Sequence, residues 1–341
     1  MDVLVGILNY LLFFSITAGV YAVLALGLNV QWGYTGLFNI GVAGFYAVGA
    51  YTSALISGPP PGALDWRVFG GWGLPFPVGF AAAGIVAALV ALLIGWITIR
   101  LKEDYLAIAS IGIAEVLRLI IKNEAWLTNG VWGLKNIPSP LFQPVQAGVT
   151  AFLSARPQLP GWVASLLKGA YSWVYLGLLG VVILALYFLL ERALRSPWGR
   201  VLRAIREDEV AAAAQGKNVA AFKLQAFVLG SAIMGLAGSL YAHYARYLSV
   251  EKFEPLYGTF IVWVMLVAGG AGNNKGAILG AFLIWGLWAG TDFLTGYLPL
   301  SDVRASALRV VLIGVLLVGI LLVRPRGILG EEKFVSRLFK G

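Results

Sequence analysis

The chain has no cysteine and a single histidine, His243. Disulfides and thiolate metal sites are therefore excluded, and one imidazole provides no histidine cluster for a metal. Charge is scarce as well: Asp, Glu, Lys and Arg make up 12% of the residues, where soluble domains carry about 25%. No segment has the GxxxxGK[ST] pattern of a phosphate-cradling loop. The nearest approach, Gly216–Lys217, is followed by Asn218 and has Ala211 where the first glycine belongs. ATP chemistry is thus not expected of this chain, and its energy must come from another chain or from an ion gradient. No Ser/His/Asp set or paired carboxylate points to a membrane-embedded hydrolase either.

What the 341 residues do contain is apolar surface: 60% are hydrophobic and the mean hydropathy is +0.84. This places the chain in membranes before any segment is read. Apolar runs fall near 3–28, 33–57, 75–99, 105–121, 173–191, 224–244, 258–271, 277–296 and 306–323. A crossing helix needs about 20 residues, so 258–271 is short and reads as re-entrant or joined to its neighbour. The first run lacks a basic leader and reads as a retained helix. The expected fold is all-α: one polytopic helical bundle over 1–341 with about nine spans, eight to ten.

The net charge of +9 is unevenly placed. Arg100, Lys102, Arg192, Arg195, Arg200, Arg203, Arg206, Lys217, Lys223, Lys275, Arg324, Arg326, Lys333, Arg337 and Lys340 are more than half of the basic residues. The positive-inside rule puts them all in the cytoplasm, which requires an external N-terminus and a cytoplasmic C-terminus. In a polytopic chain this charge reports loop position and membrane lipid rather than nucleic acid.

Two connections are long. Residues 122–172 form an external loop with Trp126, Trp132 and Trp162, and with Trp173 at its edge, which suits either a flap at the membrane interface or a docking surface. On the cytoplasmic side, Pro197 starts a short helix whose apolar side holds Val201, Leu202 and Ile205. Arg203, Arg206, Glu207, Asp208 and Glu209 flank it, an alanine run from Ala211 and Ala212 continues it, and Gly216 before Lys217 ends it. Such a smooth patch fits a groove on a soluble partner or, equally, a basic helix held by lipid headgroups.

Charges inside the apolar runs are costly and mark roles. Glu115 and Arg118 stand three residues apart on one helical face and can pair, with Lys122 one turn on. They either line a path for a zwitterion or lock two helices. His243 reads as an interfacial or hydrogen-bonding group. In the stretch GYTGLFNIGVAGFYAVGAY, residues 33–51, a continuous helix places Gly36, Asn39, Ala43, Ala47, Ala50 and Ala54 within an arc of roughly 80°. That small face is expected to pack closely against another helix, as are Gly276-xxx-Gly280 and Gly286-xxx-Gly290. Gly33, Gly41, Gly44 and Gly49 fall outside it and suggest a bend or unwound turn near Asn39–Gly44, beside a pathway.

The ordered set GLNVQWGYTGLFNIGVAGFYAVGAYTSAL (27–55), RLKEDYLAIASIGIAEVLRLIIKN (100–123), RAIREDEVAAAAQGKNVAAFKLQAFVLGSAIMGLAGSLYAHY (203–244), AGGAGNNKGAILGAF (268–282) and RPRG (324–327) resembles the branched-chain amino acid permease family of ABC importers, in its LivM type. The resemblance runs nearly end to end. It implies a non-catalytic membrane subunit whose 192–223 segment is the coupling loop, with Glu209, Ala211, Ala212 and Gly216 at the matching positions. Ala213 departs from the pattern, where a second acidic residue is expected. The implied partners are a second, LivH-like permease, two ATPase subunits that hold the ATP and Mg, and an extracytoplasmic amino-acid-binding protein. The implied cargo is leucine, isoleucine or valine. A permease for urea or short-chain amides, and an ion-driven secondary transporter, remain the alternatives.

Overall fold

Apolar runs of this length, with backbone groups that lipid cannot satisfy, leave the helix as the economical solution. The computed structural model describes residues 2–156, 158–296 and 301–331. Among them there is no strand, only an isolated antiparallel bridge between Leu134 and Leu248. In chain order the helices are α1 (Asp2–Leu28), α2 (Val42–Ser57), α3 (Phe76–Thr98), α4 (Glu103–Asn123), α5 (Ala125–Thr128), α6 (Phe142–Ser154) and α7 (Gly161–Lys168). They continue as α8 (Ala170–Arg195), α9 (Pro197–Glu207), α10 (Glu209–Ala214), α11 (Val219–Ala245), α12 (Ile261–Gly269), α13 (Asn274–Gly296) and α14 (Asp302–Val323). Five stretches are long and apolar enough to cross a membrane: Val5–Gly33, Phe76–Thr98, Gly161–Arg195, Val219–Ala245 and Val303–Val323. Two further apolar helices, Val42–Ser57 and Leu256–Gly269, are shorter. The basic residues Lys333, Arg337 and Lys340 of the 324–341 tail lie outside the described residues.

α1 is apolar on every side, so it cannot lie at a polar surface, and Ile16, Val23, Leu24 and Leu26 are fully buried. Around it stand α13, α11, α8 and α12. The outer helices show their apolar side chains: Leu93 and Ile97 on α3, Ile108 on α4, Phe188 on α8 and Val315 on α14 are all exposed. An apolar belt of that extent is the lipid-facing surface of a membrane bundle.

α2 packs most extensively on α11 and α3, and small residues decide how closely. A Cβ on Gly49 would land on the Gly235 backbone, and a Cβ on Gly238 would land on the Tyr46 carbonyl and the Ala50 amide. Ala47, Ala50 and Ala54 are buried at the same seam. Gly49 therefore belongs to the packing face, not to a hinge as its position off the alanine arc suggested. Gly44 is likewise a contact glycine, set against Ala114 of α4. The α12–α13 hairpin closes the same way, Gly280 and Gly276 against Gly269. In α13 the second pair does not repeat the device, because a Cβ on Gly290 would meet nothing within 4 Å. The residues directly after RPRG cover the end of α12: Ile328 N–H donates to the Ala268 carbonyl and Leu329 N–H to Gly269, both at 2.9 Å. Those are carbonyls that a helix end leaves without partners.

At the other end, the 122–172 loop carries α5, α6 and α7, with Trp126, Trp132 and Trp162 exposed, as is Trp173 in the first turn of α8. It is tied to the 58–75 loop by Val68 N–H to the Trp126 carbonyl at 2.8 Å. His243 is fully buried here rather than interfacial. Its Nδ1 lies 2.5 Å from the Pro138 carbonyl, which only accepts, so Nδ1 carries the proton. Nε2 then accepts from the Ser53 hydroxyl at 2.8 Å.

The seam predicts an asymmetry among glycines. Gly49→Val should destabilise the detergent-solubilised protein by about 1–3 kcal/mol, as overpacking does. Gly177→Ala, on α8 with nothing within 4 Å of the added Cβ, should leave the thermal midpoint unchanged or raised.

Candidate functional site

The bundle is interrupted at one place that its sequence marks by polar residues within an apolar run. After Leu28 the helix widens into a single π-turn, Asn29–Gly33, and residues 34–41 are not helical. The continuous helix expected from 33 onward is therefore broken, and Gly36 and Asn39 do not share a face with Ala43 to Ala54. The break also begins earlier than the Asn39–Gly44 turn suggested by the glycines. Gly36 has φ +75°, a left-handed conformation that glycine adopts without steric cost.

The break persists because side chains replace the missing ladder. Gln31 Nε2 donates to the Phe227 carbonyl at 2.8 Å and to Ser231 Oγ at 3.0 Å. Asn39 Nδ2 donates to Gln31 Oε1 at 2.8 Å, while Asn39 Oδ1 accepts the Gly41 amide at 2.7 Å. The Ile40 amide donates to Ser110 Oγ on α4, and the Ala43 amide to Thr259 Oγ1, which fixes the first turn of α2. Asn29 Nδ2 reaches Asn274 Oδ1 at 2.9 Å, and Asn29 Oδ1 accepts the Gly272 amide at 2.8 Å. Asn274 passes the chain of bonds to Glu191 of α8 at 3.1 Å. Asn29, Gln31, Asn39, Ser231 and Asn274 are all fully buried, so this network is satisfied almost wholly within the protein.

Beside the break lies a groove of about 650 Å³. Ile40, Ala43, Ile111, Glu115, Thr259 and Trp263 are among its walls, which α4, α12 and α14 complete. Of the expected path residues, only Glu115 is in this lining. Asn39 is buried beneath it as a structural hydrogen-bonder, and Gly41 and Gly44 are pressed against Ser110 and Ala114. Arg118 pairs with Glu115 through two hydrogen bonds, Nε to Oε2 at 2.9 Å and Nη2 to Oε1 at 2.5 Å. Both partners stand on α4, one turn apart, so the pair does not lock two helices together. It neutralises the one carboxylate on the groove wall. Near this end Glu251 sits outside the helices that span. Its own backbone amide and Ser249 hold its carboxyl below the usual range, with Lys122 and Arg118 adding to the effect.

The polar end of the molecule carries α9 and α10. The single short helix expected after Pro197 is two, because Asp208 is extended (φ −155°, ψ 106°) and ends α9. Asp208 then caps α10, its Oδ1 accepting the Ala211 amide at 2.9 Å. Ile205, Ala212 and Val219 form a small core of their own, with Val201 and Phe222 against it. Val210, Ala211, Ala213 and Lys217 face outward. Gly216, at φ +76°, ends α10 in a Schellman-type turn: Gly216 N–H donates to Ala213 O and Lys217 N–H to Ala212 O. Glu209 forms an ion pair with Lys223 of α11.

Arg206 joins this platform to the break. Its Nη1 donates to the Gly33 carbonyl, its Nη2 pairs with Glu331 at 2.7 Å, and its Cγ lies across Gly36. Arg203 instead donates to the Leu194 carbonyl at 2.9 Å, fastening α9 to α8. Arg195, Arg200, Arg203 and Arg326 surround a recess of about 960 Å³, together with Glu207 and Glu331. The sequence reading passed over Asn29, Gln31, Asn274 and Trp263. The available signal was two amides, Asn29 and Gln31, inside an otherwise apolar run, which in a membrane helix are rarely without a task.

Comparison with known proteins agrees with this architecture. A family model described as "Branched-chain amino acid transport system / permease component" matches residues 10–321. The chain is 33% identical over 266 residues to the high-affinity branched-chain amino acid transport system permease protein LivM of Escherichia coli K12. It is 34% identical over 273 residues to the protein of the same name from Salmonella typhimurium. Each of these matches covers 78% of this chain and 60% of the relative. A probable branched-chain amino acid transport permease protein LivM from Methanocaldococcus jannaschii is 30% identical over 290 residues, covering 77% of this chain and 75% of that one. No solved structure matches. The chain belongs to the family of branched-chain amino acid transport system permease components.

Proposed function

We propose that the chain is the membrane-spanning permease subunit of an ATP-binding-cassette importer for leucine, isoleucine and valine in a prokaryotic cytoplasmic membrane. The observation that carries this reading is the physical link from an exposed helical platform, through Arg206, to a helix break beside an apolar groove. ATP and Mg belong to two partner ATPase subunits that dock on the α9–α10 platform. A second, homologous permease completes the pathway, and an extracytoplasmic binding protein delivers the amino acid. The groove lining supports the choice of cargo, being apolar apart from Glu115 and the Thr259 hydroxyl. Branched aliphatic side chains gain from such walls, and urea or small amides do not.

Nine crossings with an external N-terminus and a cytoplasmic C-terminus fit the way the loops gather. The α9–α10 platform, the α12–α13 turn and the post-α14 segment meet through Gly33, Gly272, Arg206 and Glu331. The 58–75, 122–172 and 246–255 loops meet at the opposite end, through Trp126 and the Leu134–Leu248 bridge. ATP-driven closure of the partners would displace α10 and carry α9 with it through their shared core of Ile205 and Ala212. Arg206 would then draw on Gly33 and reshape the 34–41 break, where no helical ladder resists movement.

Two measurements test the reading. With the partner subunits present, Glu209→Lys reverses the charge facing Lys223, and Gly216→Val strains a left-handed turn. Both variants should insert normally and hydrolyse ATP in the complex while amino-acid uptake is largely lost. Unchanged uptake in both would remove this segment from coupling. Arg118→Met leaves the Glu115 carboxylate unpaired on the groove wall. Uptake should fall several-fold in that variant, and full uptake would take the pair out of the pathway.

A further inference from the structure

Three large rings lie between the groove and the basic recess. Trp32 and Phe38 have centroids 5.1 Å apart, Trp32 and Trp263 5.2 Å, and Phe38 and Trp263 4.9 Å. Phe38 and Trp263 belong to the lining of the groove, Trp32 to the lining of the recess, and Val267 to both. The two cavities are thus neighbours separated by one layer of aromatic side chains. All three rings are only half-buried, unlike the Tyr21, Tyr46 and Phe227 rings of the core. They come from three different pieces of backbone: the π-turn, the unwound 34–41 segment, and α12.

We propose that Trp32, Phe38 and Trp263 are this chain's part of the cytoplasmic gate of the transport pathway, and this rests on the importer reading above. The closed position is held at a defined point, because Trp263 Nε1 donates to the Asn39 carbonyl at 3.0 Å. Phe38 sits immediately before Asn39, on backbone without a helical ladder. One of the three rings is therefore carried by the part of the chain best able to move, and Trp32 stands in the π-turn just before it. Arg206 grips that part at Gly33 and lies over Gly36, two residues before Phe38. Displacing α9 pulls on the mounting of the gate and leaves α2, packed on α3 and α11, in place. The surroundings change sharply in polarity across the rings. The groove above is lined by aliphatic and aromatic carbons apart from Glu115 and Thr259. The recess below presents Arg195, Arg200, Arg203 and Arg326 against Glu207 and Glu331, so a solute with an apolar side chain and a carboxylate leaves the first environment for one with an excess of positive charge. Closing a path with rings packed edge to face excludes water and ions without requiring a buried charge.

The chain has no cysteine, so accessibility can be read at one introduced thiol. Ile111→Cys places it on the groove wall, and Lys102→Cys, exposed just before α4 and away from the α9–α10 platform, marks the face from which the reagent arrives. In membrane vesicles containing the full chain with its partner subunits, a membrane-impermeant sulfonated thiol reagent is applied from the Lys102 face. Phe38→Ala or Trp263→Ala should raise the labelling rate at position 111 about tenfold, the upper range for losing one aromatic pair contact. Trp263→Phe, which keeps a ring but loses the bond to the Asn39 carbonyl, should give an intermediate rate. The label at position 102 should not respond to any of these changes. If Trp263→Ala does not insert, Phe38→Leu and Trp32→Leu carry the same test. Labelling at 111 that is as slow in every inserted variant as in the parent overturns the gate. Failure of the importer reading shows elsewhere, as absent ATP-dependent uptake, because the labelling needs no turnover.

Discussion

A helix that breaks inside an apolar bundle exposes N–H and C=O groups where no water can serve them, and each must find another partner. Residues 34–41 are such a break, and the surrounding structure is arranged to satisfy it. Ser110 of α4, Asn39 and Thr259 of the turn before α12 accept the Ile40, Gly41 and Ala43 amides, and Gln31 of the π-turn holds the Asn39 side chain in place. Trp263 and Arg206 take the Asn39 and Gly33 carbonyls. Because those partners come from elements far apart in sequence, the break is also where the elements are joined. Moving any one of them alters the support of the others.

Close packing by small residues has the complementary effect. Where α2 crosses α11, glycine faces glycine and alanine, and the backbones approach too closely for relative sliding to be cheap. The same holds for α12 against α13. The molecule thus combines rigid seams with a loosely wound stretch between them, and the groove lies along that boundary. The polar platform is built on a similar contrast: Asp208 and Gly216 terminate α10 firmly at both ends while its alanine surface stays bare.

Much of this was legible in the amino-acid sequence. Composition and apolar runs carry the all-helical membrane class, because lipid permits few alternatives and hydropathy reports them directly. The order of motifs carries the family. Terminal signals also read well locally: Pro197 opens α9 and Gly216 closes α10. What was not legible depends on partners distant in the chain. Whether Gly49 is a hinge or a contact is decided by Gly235 of α11, and whether Asn39 lines a path or lies beneath it is decided by Gln31. A helical-wheel argument presupposes a continuous helix, so it could not reveal that Gly36 and Asn39 lie outside one. The split at Asp208 was equally hidden, since the residue serves both as the end of one helix and the cap of the next.

The central claim is that Arg206 holds the unwound segment and thereby joins the platform to the groove. Hydrogen exchange followed residue by residue in the full chain, with and without Arg206→Gln, tests it most directly. The amides of Tyr34, Gly36, Leu37 and Asn39 are bonded within the segment or back to the π-turn, and they should lose protection in the variant. The amides of Val42–Ser57 should keep theirs. Equal protection at 34–41 in both proteins would contradict the account.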